Sequence, residues 1–502
     1  MTIVKRLGAF ALIALAAATL VSCGGADERA KMIPSTEAVG VVNLMNIVDA
    51  VDYDNVKEMS MFKMAKGALA ADQSEEGKLM SDVMDDPRTT GVEFDAPTYI
   101  YPAEVGDADY LVVSLALADA DAFGQFVKTM SGAEPTSEGG LSIVVADDAA
   151  IGWSDGFALV VNSMGYSSDE ELTAAAVALS KPLDEGSMAS NDDFNSFVGE
   201  TSQIGMWMDA SSEMVEEMSD EMDLPPFLAL EGEGTAHMFL DFNEGEIVLR
   251  AVVNGNETMK ESLNYVEGDV STDLIETLIG ANAAIGVSLN MEKILGMKDV
   301  ESQLGQAAAM VGVSEDELKG MLGGDVVMAL TGENQEGAAT YAVLASVEDA
   351  ETAGKIFEML DAQGIPKTDE GYYLIEQGYG EDMYFALTDD AIVFANDAAM
   401  VVAALAGKTG EGEQIDAVKE LAGEPAFLYI DMNALDAETL YEMDVIDYGD
   451  KAMFEMFGGA VEKITASGSV EGGELKIRMK NKDENSLLAI LKFAEKAAMG
   501  SM

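Results

Sequence analysis

Short apolar segments separated by turn residues run through most of the chain, and they limit its fold more than any other feature. Residues 39–44 and 110–117 have the length and apolar character of strands, whereas residues 120–130 repeat apolar side chains at helical spacing. Ser154-Asp155-Gly156 supplies one of several hairpin turns. This mixture predicts an α+β protein with a largely antiparallel sheet and helices packed on one face.

The series of predicted strands and helices restarts about halfway along the chain. Pairs of identical residues occur in the same order in both parts, at nearly constant separation. The pairs are Gly40 and Gly286, Asp119 and Asp349, Gly124 and Gly354, Asp155 and Asp389, Asp209 and Asp431, and Ser262 and Ser486. We therefore predict an internal duplication, with one half at residues 32–264, a connection at 265–282 and a second half at 283–502.

The first 23 residues have the pattern of an export signal. Lys5 and Arg6 precede an apolar run at 7–21, which ends in Leu20-Val21-Ser22-Cys23. This ending resembles the bacterial lipobox, so we predict a signal peptide at 1–22, lipid attached to Cys23 and a tether at 23–31. The alternatives are an ordinary signal peptide or a membrane-spanning anchor, but the run is shorter than the roughly 20 apolar residues that a bilayer span requires.

The residues around the predicted lipid site also bear on location. Cys23 is the single cysteine, so no disulfide competes for it and an exported fold must be stable without one. Gly24 follows it in place of the Asp that retains lipoproteins at the inner membrane, which favours the outer membrane. Asp27 and Glu28 are typical of surface-exposed lipoproteins of Bacteroidota, so the protein is expected to face the periplasm or the cell surface.

The charge balance excludes one large class of partners. The chain has 28 basic and 92 acidic residues and a formal net charge of −64. Such a chain repels nucleic acid and anionic lipid headgroups, so its membrane contact is expected only through the lipid on Cys23. The carboxylates could attract divalent cations or basic proteins. Alternatively, they keep the protein soluble in salty surroundings, where a Debye length under about 8 Å screens them from each other.

Few residues are available for metal or nucleophile chemistry. A zinc site or a Ser-His-Asp triad would have to use the single histidine, His237, which begins an apolar strand and is expected to be structural. Trp153 and Trp207 are too few for an aromatic carbohydrate platform and are expected to pack in cores. We therefore predict no cofactor and no metal site.

One set of motifs resembles the penicillin-binding proteins and serine β-lactamases. Ser60 and Lys63 form Ser-x-x-Lys, Ser288 and Asn290 form Ser-x-Asn, and Lys408-Thr409-Gly410 follows them in the order that these enzymes use. The expected context disagrees, because Ser60 falls within a predicted amphipathic helix at 55–69 and Lys408 follows a helix instead of lying on a strand. We therefore predict no catalytic residues.

The lipobox, the segment Val39-Gly40-Val41-Val42-Asn43 and the two strand-rich halves together resemble the uncharacterised Bacteroidota lipoproteins grouped as domain of unknown function 4836. The resemblance implies an anchored envelope protein and supplies no site residues. We expect a binding or structural role without catalysis, with an unknown partner. The alternatives are an envelope hydrolase, of the serine or the carboxylate type, and a nutrient-capture lipoprotein that works with an outer-membrane transporter.

Overall fold

The computed structural model describes residues 27–72, 74–146, 148–200, 202–210, 233–263, 266–278, 282–295, 304–305, 308–309, 313–333, 339–362, 364–365, 367–375, 382–407, 413–421, 423–435, 451, 458–469 and 471–500. The predicted signal peptide, Cys23 and Lys408-Thr409-Gly410 lie outside these residues. Contacts divide the chain into two compact units. Unit 1 comprises Met1–Met218, Gly234–Ala251 and Asn481–Met502, and unit 2 comprises Ser219–Glu233 and Val252–Lys480.

The elements of unit 1 alternate between strands and short helices. Its strands are β1 (Ala38–Val42), β2 (Thr98–Val105), β3 (Ala108–Ala116), β4 (Thr136–Glu138), β5 (Leu141–Ala146), β6 (Ala149–Ser154), β7 (Phe157–Ser163), β8 (Ile204–Asp209), β9 (Gly234–Asn243) and β10 (Glu246–Gly255), within which the division at Ala251 falls. Its α-helices are α1 (Leu44–Val51), α2 (Tyr53–Glu58), α3 (Ser60–Ala71), α4 (Glu75–Asp85), α5 (Ala120–Ser131), α6 (Asp169–Leu179) and α7 (Asp192–Val198). Shorter 3-10 helices span Glu28–Met32, Pro87–Thr90 and Met188–Ser190.

Unit 2 contains a comparable series. Its strands are β11 (Ala283–Ser288), β12 (Leu322–Glu333), β13 (Ala339–Val347), β14 (Tyr373–Ile375), β15 (Met383–Leu387), β16 (Ala391–Ala395), β17 (Ala426–Asp431), β18 (Val461–Ser469) and β19 (Gly472–Met479). Its helices are α8 (Glu257–Leu263), α9 (Thr272–Glu276), α10 (Met291–Leu295), α11 (Glu315–Met321), α12 (Ala350–Ala362), α13 (Ala398–Leu405) and α14 (Glu413–Lys419). The last helix, α15 (Ser486–Gly500), belongs to unit 1.

Strand pairing gives the same order in both units. In unit 1 the neighbours run β4-β5-β6-β7-β3-β2-β1-β8-β9-β10. In unit 2 they run β14-β15-β16-β13-β12-β11-β17-β18-β19. The strands from β5 onward in unit 1 therefore correspond one to one with those of unit 2. The α+β class with a large antiparallel sheet is confirmed.

Several predicted residue pairs occupy corresponding positions. Asp119 caps α5 by accepting a hydrogen bond from the Ala122 N–H (2.9 Å), and Asp349 caps α12 by accepting from the Thr352 N–H (3.1 Å). Asp155 and Asp389 both lie in hairpin turns, between β6 and β7 and between β15 and β16. The sequence also predicts that Asp209 and Asp431 each end a strand and cap the helix that follows it. Both residues do end a strand, and the predicted helices lie outside the described residues.

The strand register corrects the predicted pairing of Gly40 with Gly286. Ala38 lies opposite Met208 and Ala283 lies opposite Ile430, one residue before the strand-ending aspartates. Counted from these pairs, Gly40 corresponds to Ile285, so the two glycines point toward opposite faces of the strand. Gly286 is required by its own neighbour, because an added Cβ would lie 2.2 Å from the ring of Phe427.

Two other predictions also need correction. Ser262 and Ser486 do not correspond, because Ser486 is the first residue of α15 whereas Ser262 lies near the end of α8. The helix predicted at 55–69 is divided at Met59, whose extended backbone (φ −63°, ψ 144°) ends α2 and precedes α3. The halves at 32–264 and 283–502 stay a prediction, and the contact units group α8 with unit 2 and α15 with unit 1.

Each unit has its own apolar core. In unit 1, Phe94, Phe123 and Trp153 are buried with the apolar side chains of α1, α4 and α5. In unit 2, Val327, Leu344 and Phe427 belong to a buried cluster that includes residues of α9 and α13. Burial of this kind stabilises a fold by about 25 cal/mol per Å² of apolar surface, and no disulfide is available to add to it. None of the helices in the described ranges combines the length and the apolar character needed to cross a bilayer.

The segment that follows the predicted lipid site is part of unit 1. Arg29 is 5% exposed, and its guanidinium donates to the carbonyl oxygens of Ser114 (3.1 Å) and Pro97 (2.5 Å). It also forms an ion pair with Asp27 (2.6 Å) and lies over the Tyr99 ring. Residues 27–31, which the sequence placed in the tether, are therefore held against the fold.

Candidate functional site

An open cleft of about 960 Å³ lies at one end of the unit 2 strands. Its walls come from the last residue of β11, the first residues of β12, the end of β13 and the turn between β15 and β16, together with α9 and the end of α13. A cleft of this size falls within the range that proteins use for small ligands.

The floor of the cleft depends on two glycines at the start of β12. An added Cβ at Gly323 would lie 2.2 Å from the Ser346 hydroxyl oxygen, and one at Gly324 would lie 2.5 Å from the Leu289 carbonyl oxygen. Real Cβ atoms do not approach other atoms so closely, so neither position accepts a side chain without movement. The Leu289 N–H also donates to the Gly324 carbonyl oxygen (2.9 Å), which fixes the backbone there.

Hydroxyl groups line the interior of the cleft. Ser288 is only 6% exposed, and its side chain has no hydrogen-bond partner among the described residues. The Ser346 hydroxyl accepts a hydrogen bond from the Asp325 N–H (2.9 Å), and the Asp325 carboxylate accepts one from the Ser271 N–H (3.1 Å). The Ser288 hydroxyl opens onto the cleft and can both donate and accept a hydrogen bond, so it is available to a ligand there.

Carboxylates dominate the charge of the cleft. Its acidic lining residues are Asp269, Asp273, Asp325, Glu348, Asp389 and Asp390, and the part of the lining that the structure describes contains no Lys, Arg or His. Among the described residues none of the six forms an ion pair. The described lining residues include no aromatic side chain either. The site therefore presents hydrogen-bond acceptors and negative charge.

Unit 1 fills the corresponding position with protein. The pairing of Val92 with Leu117 in unit 1 corresponds to the pairing of Leu322 with Val347 in unit 2. A backbone hydrogen bond recurs beside each pair: the Ala118 N–H donates to the Gly91 carbonyl oxygen in unit 1, and the Glu348 N–H donates to the Met321 carbonyl oxygen in unit 2. By register, Thr98 opposite Val42 corresponds to Val326 opposite Val287, and Asp325 before it pairs with Ser288. Residues 93–97 thus stand where unit 2 has only residues 323–325, and they include Phe94, which is 3% exposed.

Unit 1 also contains a buried polar cluster around Asp193. The Asp193 carboxylate oxygen Oδ2 lies 2.8 Å from Trp207 Nε1, Thr235 Oγ1 and His237 Nε2. Partial burial alone would raise the pKa of Asp193, but hydrogen bonds from Trp207, His237 and Thr235 outweigh burial and lower it. His237 is thus held in a structural contact, and both tryptophans are buried, as the sequence predicts.

The motif set that resembles penicillin-binding proteins receives no support from the described residues. Ser60 is exposed at the first position of α3, a helix without buried residues, and Lys63 is exposed and forms an ion pair with Glu58 (2.5 Å). Ser288 lies in the cleft of unit 2. Lys408 lies outside the described residues, so the Lys-Thr-Gly motif cannot be located relative to the other two motifs.

The described residues also include no group of three or more His, Cys, Asp or Glu side chains placed to hold a metal ion. Sequence reasoning missed the cleft, although it identified Ser288 within a motif and paired Asp389 with the hairpin-turn residue Asp155. The available signal was Gly323-Gly324-Asp325, where two glycines precede an acid at the start of an apolar strand.

Comparisons with known proteins give one family and one structural likeness. No curated protein matches the chain. A solved structure described as "Structure of crystal form III of TP0453" is similar over 49% of this chain and 90% of its own, at 11% identity and a TM-score of 0.27, which is too low to support an argument. The family described as "Domain of unknown function (DUF4836)" matches residues 30–487, so the chain belongs to that family.

Proposed function

We propose that the protein is a lipid-anchored lipoprotein of the outer membrane that binds a small ligand in the cleft of unit 2 and does no catalysis. The observation that supports this proposal is the cleft itself, with the Ser288 hydroxyl facing into it and its acidic lining. Residues 93–97 of unit 1 occupy the corresponding position and bury Phe94, so the open cleft is a difference of unit 2 from the strand arrangement that the two units share.

The position of Arg29 supports the anchored part of the proposal. Only residues 24–26 separate Cys23 from Asp27, where the described fold begins. Four residue steps span at most about 14 Å. A lipid on Cys23 would therefore hold unit 1 close to the membrane surface, with the buried Arg29 as the point of attachment within the fold.

The two other candidate functions have less support. A serine hydrolase needs a nucleophile held beside its base, whereas Ser60 and Lys63 are both exposed on α3. A nutrient-capture protein of the kind expected from the sequence needs an aromatic-lined cleft, and the lining residues that the structure describes include no aromatic side chain. Incubation with a fluorescent β-lactam should leave the protein unlabelled; labelling that Ser60→Ala removes would favour the hydrolase.

We also infer that the two units arose by duplication, because the strand order and several backbone hydrogen bonds recur. In this proposal one copy kept the packed end of the sheet, and the other replaced residues 93–97 by a shorter glycine segment. The cleft is then a gain of function in one copy.

Ligand binding can be tested without knowledge of the ligand. Cys23 is the single cysteine, so Ser288→Cys in a Cys23→Ser protein places one thiol in the cleft. We expect a small-molecule fraction from the native envelope to slow maleimide labelling of this thiol. Tyr166→Cys in the same background is the control, because Tyr166 is 96% exposed. Unchanged labelling at position 288 would contradict a binding role.

The anchor is tested separately by cell fractionation. The Cys23→Ser protein should move from the membrane to the soluble fraction, because two or more acyl chains give stable anchoring and their loss removes it. Retention on the membrane at the level of the unchanged protein would contradict lipid attachment at Cys23.

A further inference from the structure

We propose that the ligand of the unit 2 cleft is an organic cation that carries primary ammonium groups. This inference rests on the proposed binding function and names its ligand class. It starts from the described lining, which has six carboxylates and no cationic side chain, and from Ser288, a residue only 6% exposed whose hydroxyl faces the cleft without a partner among the described residues.

The first step in the argument is electrostatic. Clefts lined by charges of one sign focus their field and concentrate counter-ions. The cleft carboxylates have no ion-pair partner among the described residues, whereas other acids of unit 2, such as Glu276 and Glu315, are paired with lysines. A cationic ligand would supply the neutralising charge that the described residues do not provide here.

The second step concerns hydrogen bonding. An ammonium group carries three donors and no acceptor, and it therefore matches carboxylate oxygens and serine hydroxyls, which can all accept. Ser288 adds an acceptor inside the cleft, where Asp325 is half-buried, and Asp389 and Asp390 add exposed carboxylates at its rim. An extended cation with several ammonium groups could contact both levels.

The third step separates an organic cation from a metal ion. The described residues provide no group of three or more side chains with the placement that a metal needs. The acids are instead spread around a cleft of about 960 Å³, which is far larger than a metal coordination sphere. The arrangement favours a ligand whose charges are separated by a carbon chain.

The same chemistry occurs in free polyamines and in lysine side chains of peptides, and calorimetry distinguishes these sources. Spermidine and an end-blocked tri-lysine peptide are titrated into the full Cys23→Ser chain at physiological salt. We expect one saturable site for at least one probe, with affinity that falls as salt rises. Spermidine alone would identify a free polyamine, and preference for the peptide would identify lysine side chains.

Matched charge variants locate the site. The double variant Asp389→Asn/Asp390→Asn should weaken binding by about tenfold or more, because it removes two rim charges. Asp155→Asn should leave affinity unchanged, since Asp155 is the exposed counterpart of Asp389 in the unit 1 hairpin turn. Ser288→Ala keeps every charge and should weaken binding by about three- to tenfold through the lost acceptor.

Several outcomes would overturn the cation assignment. One is the absence of binding by either probe, and another is equal weakening by Asp155→Asn, which would indicate diffuse attraction to the whole acidic chain. If neither probe binds but the envelope fraction still protects the thiol at position 288, the ligand class is wrong while the binding function stands. If protection also fails, the binding function itself is wrong. Thermal unfolding of each variant verifies that it is folded.

Discussion

Unit 1 and unit 2 have the same strand order but treat the same end of the sheet differently. In unit 1 the residues between Val92 and Thr98 cover that end and bury Phe94. In unit 2 the residues between Leu322 and Val326 are two fewer and begin with two glycines, and a cleft lies there. The comparison teaches that a change of a few residues at a strand end can convert packed core into a site while the pairing of the strands is kept.

The units also differ in their polar contacts. Trp207 and His237 lie opposite each other in β8 and β9 and both contact Asp193. Their counterparts by register are Tyr429 and Thr465, which lie opposite each other in β17 and β18. Unit 1 thus combines a packed sheet end with a half-buried carboxylate that accepts hydrogen bonds from buried side chains, which is the arrangement expected of a stable structural unit. Both tryptophans of the chain are in unit 1, so tryptophan fluorescence reports its unfolding.

The largest effect is expected from Phe94→Ala. This change removes a buried ring from the core of unit 1, and loss of a buried aromatic side chain costs about 3–5 kcal/mol. Denaturant unfolding followed by tryptophan fluorescence measures the loss. Tyr166→Ala, at an exposed position, should change stability by less than about 0.5 kcal/mol. A loss under 1 kcal/mol for Phe94→Ala would mean that Phe94 does not fill the sheet end.

A matched pair of glycines tests the correspondence of the two helices α5 and α12. An added Cβ at Gly124 would lie 3.1 Å from Trp153 Nε1, so Gly124→Ala should destabilise unit 1 by about 1–3 kcal/mol. Gly354 has no atom within 4 Å of that position, because Leu387 stands where unit 1 has Trp153.

Gly354→Ala should therefore stabilise unit 2 by about 0.5–1 kcal/mol, as alanine favours helix over glycine. Fluorescence measures the first variant, and far-ultraviolet circular dichroism measures the second. Equal effects of the two substitutions would contradict the different packing of these corresponding helices.

The Asp193 cluster gives a smaller effect with a defined pH dependence. The pKa of Asp193 is lowered in the folded protein, so its carboxylate stabilises the fold at pH values above the ordinary carboxyl pKa of about 3.9. This stability is lost as the pH falls through the folded pKa of Asp193. Asp193→Asn should cost about 1–2 kcal/mol at pH 7, since its donors lose a charged acceptor.

The difference in stability between Asp193→Asn and the unchanged protein should shrink as pH falls from 5 to 3. Fluorescence-detected unfolding across this range measures it, with Asp155→Asn as the exposed control. A difference that stays constant with pH would show that the ionised Asp193 is not the stabilising form.

The sequence predicts local structure well and tertiary detail poorly. Strand periodicity and turn residues predict the α+β class, and an aspartate before an apolar helix predicts the caps at Asp119 and Asp349. The space beside Gly354 depends on Leu387, which is distant in the sequence, and no local sequence pattern indicates which residue faces that glycine. The cleft likewise depends on which residues pair across strands, because Gly323 and Gly324 matter only beside Ser346 and Leu289.

A segment exchange tests the central claim most directly. Residues 323–325 are replaced by a copy of residues 93–97, so that unit 2 receives the segment that fills the sheet end of unit 1. Calorimetric titration with spermidine and the tri-lysine peptide then compares this protein with the unchanged one, after circular dichroism has verified its fold. The account predicts a folded protein that has lost binding of the probe that binds the unchanged protein, and binding at unchanged affinity would contradict it.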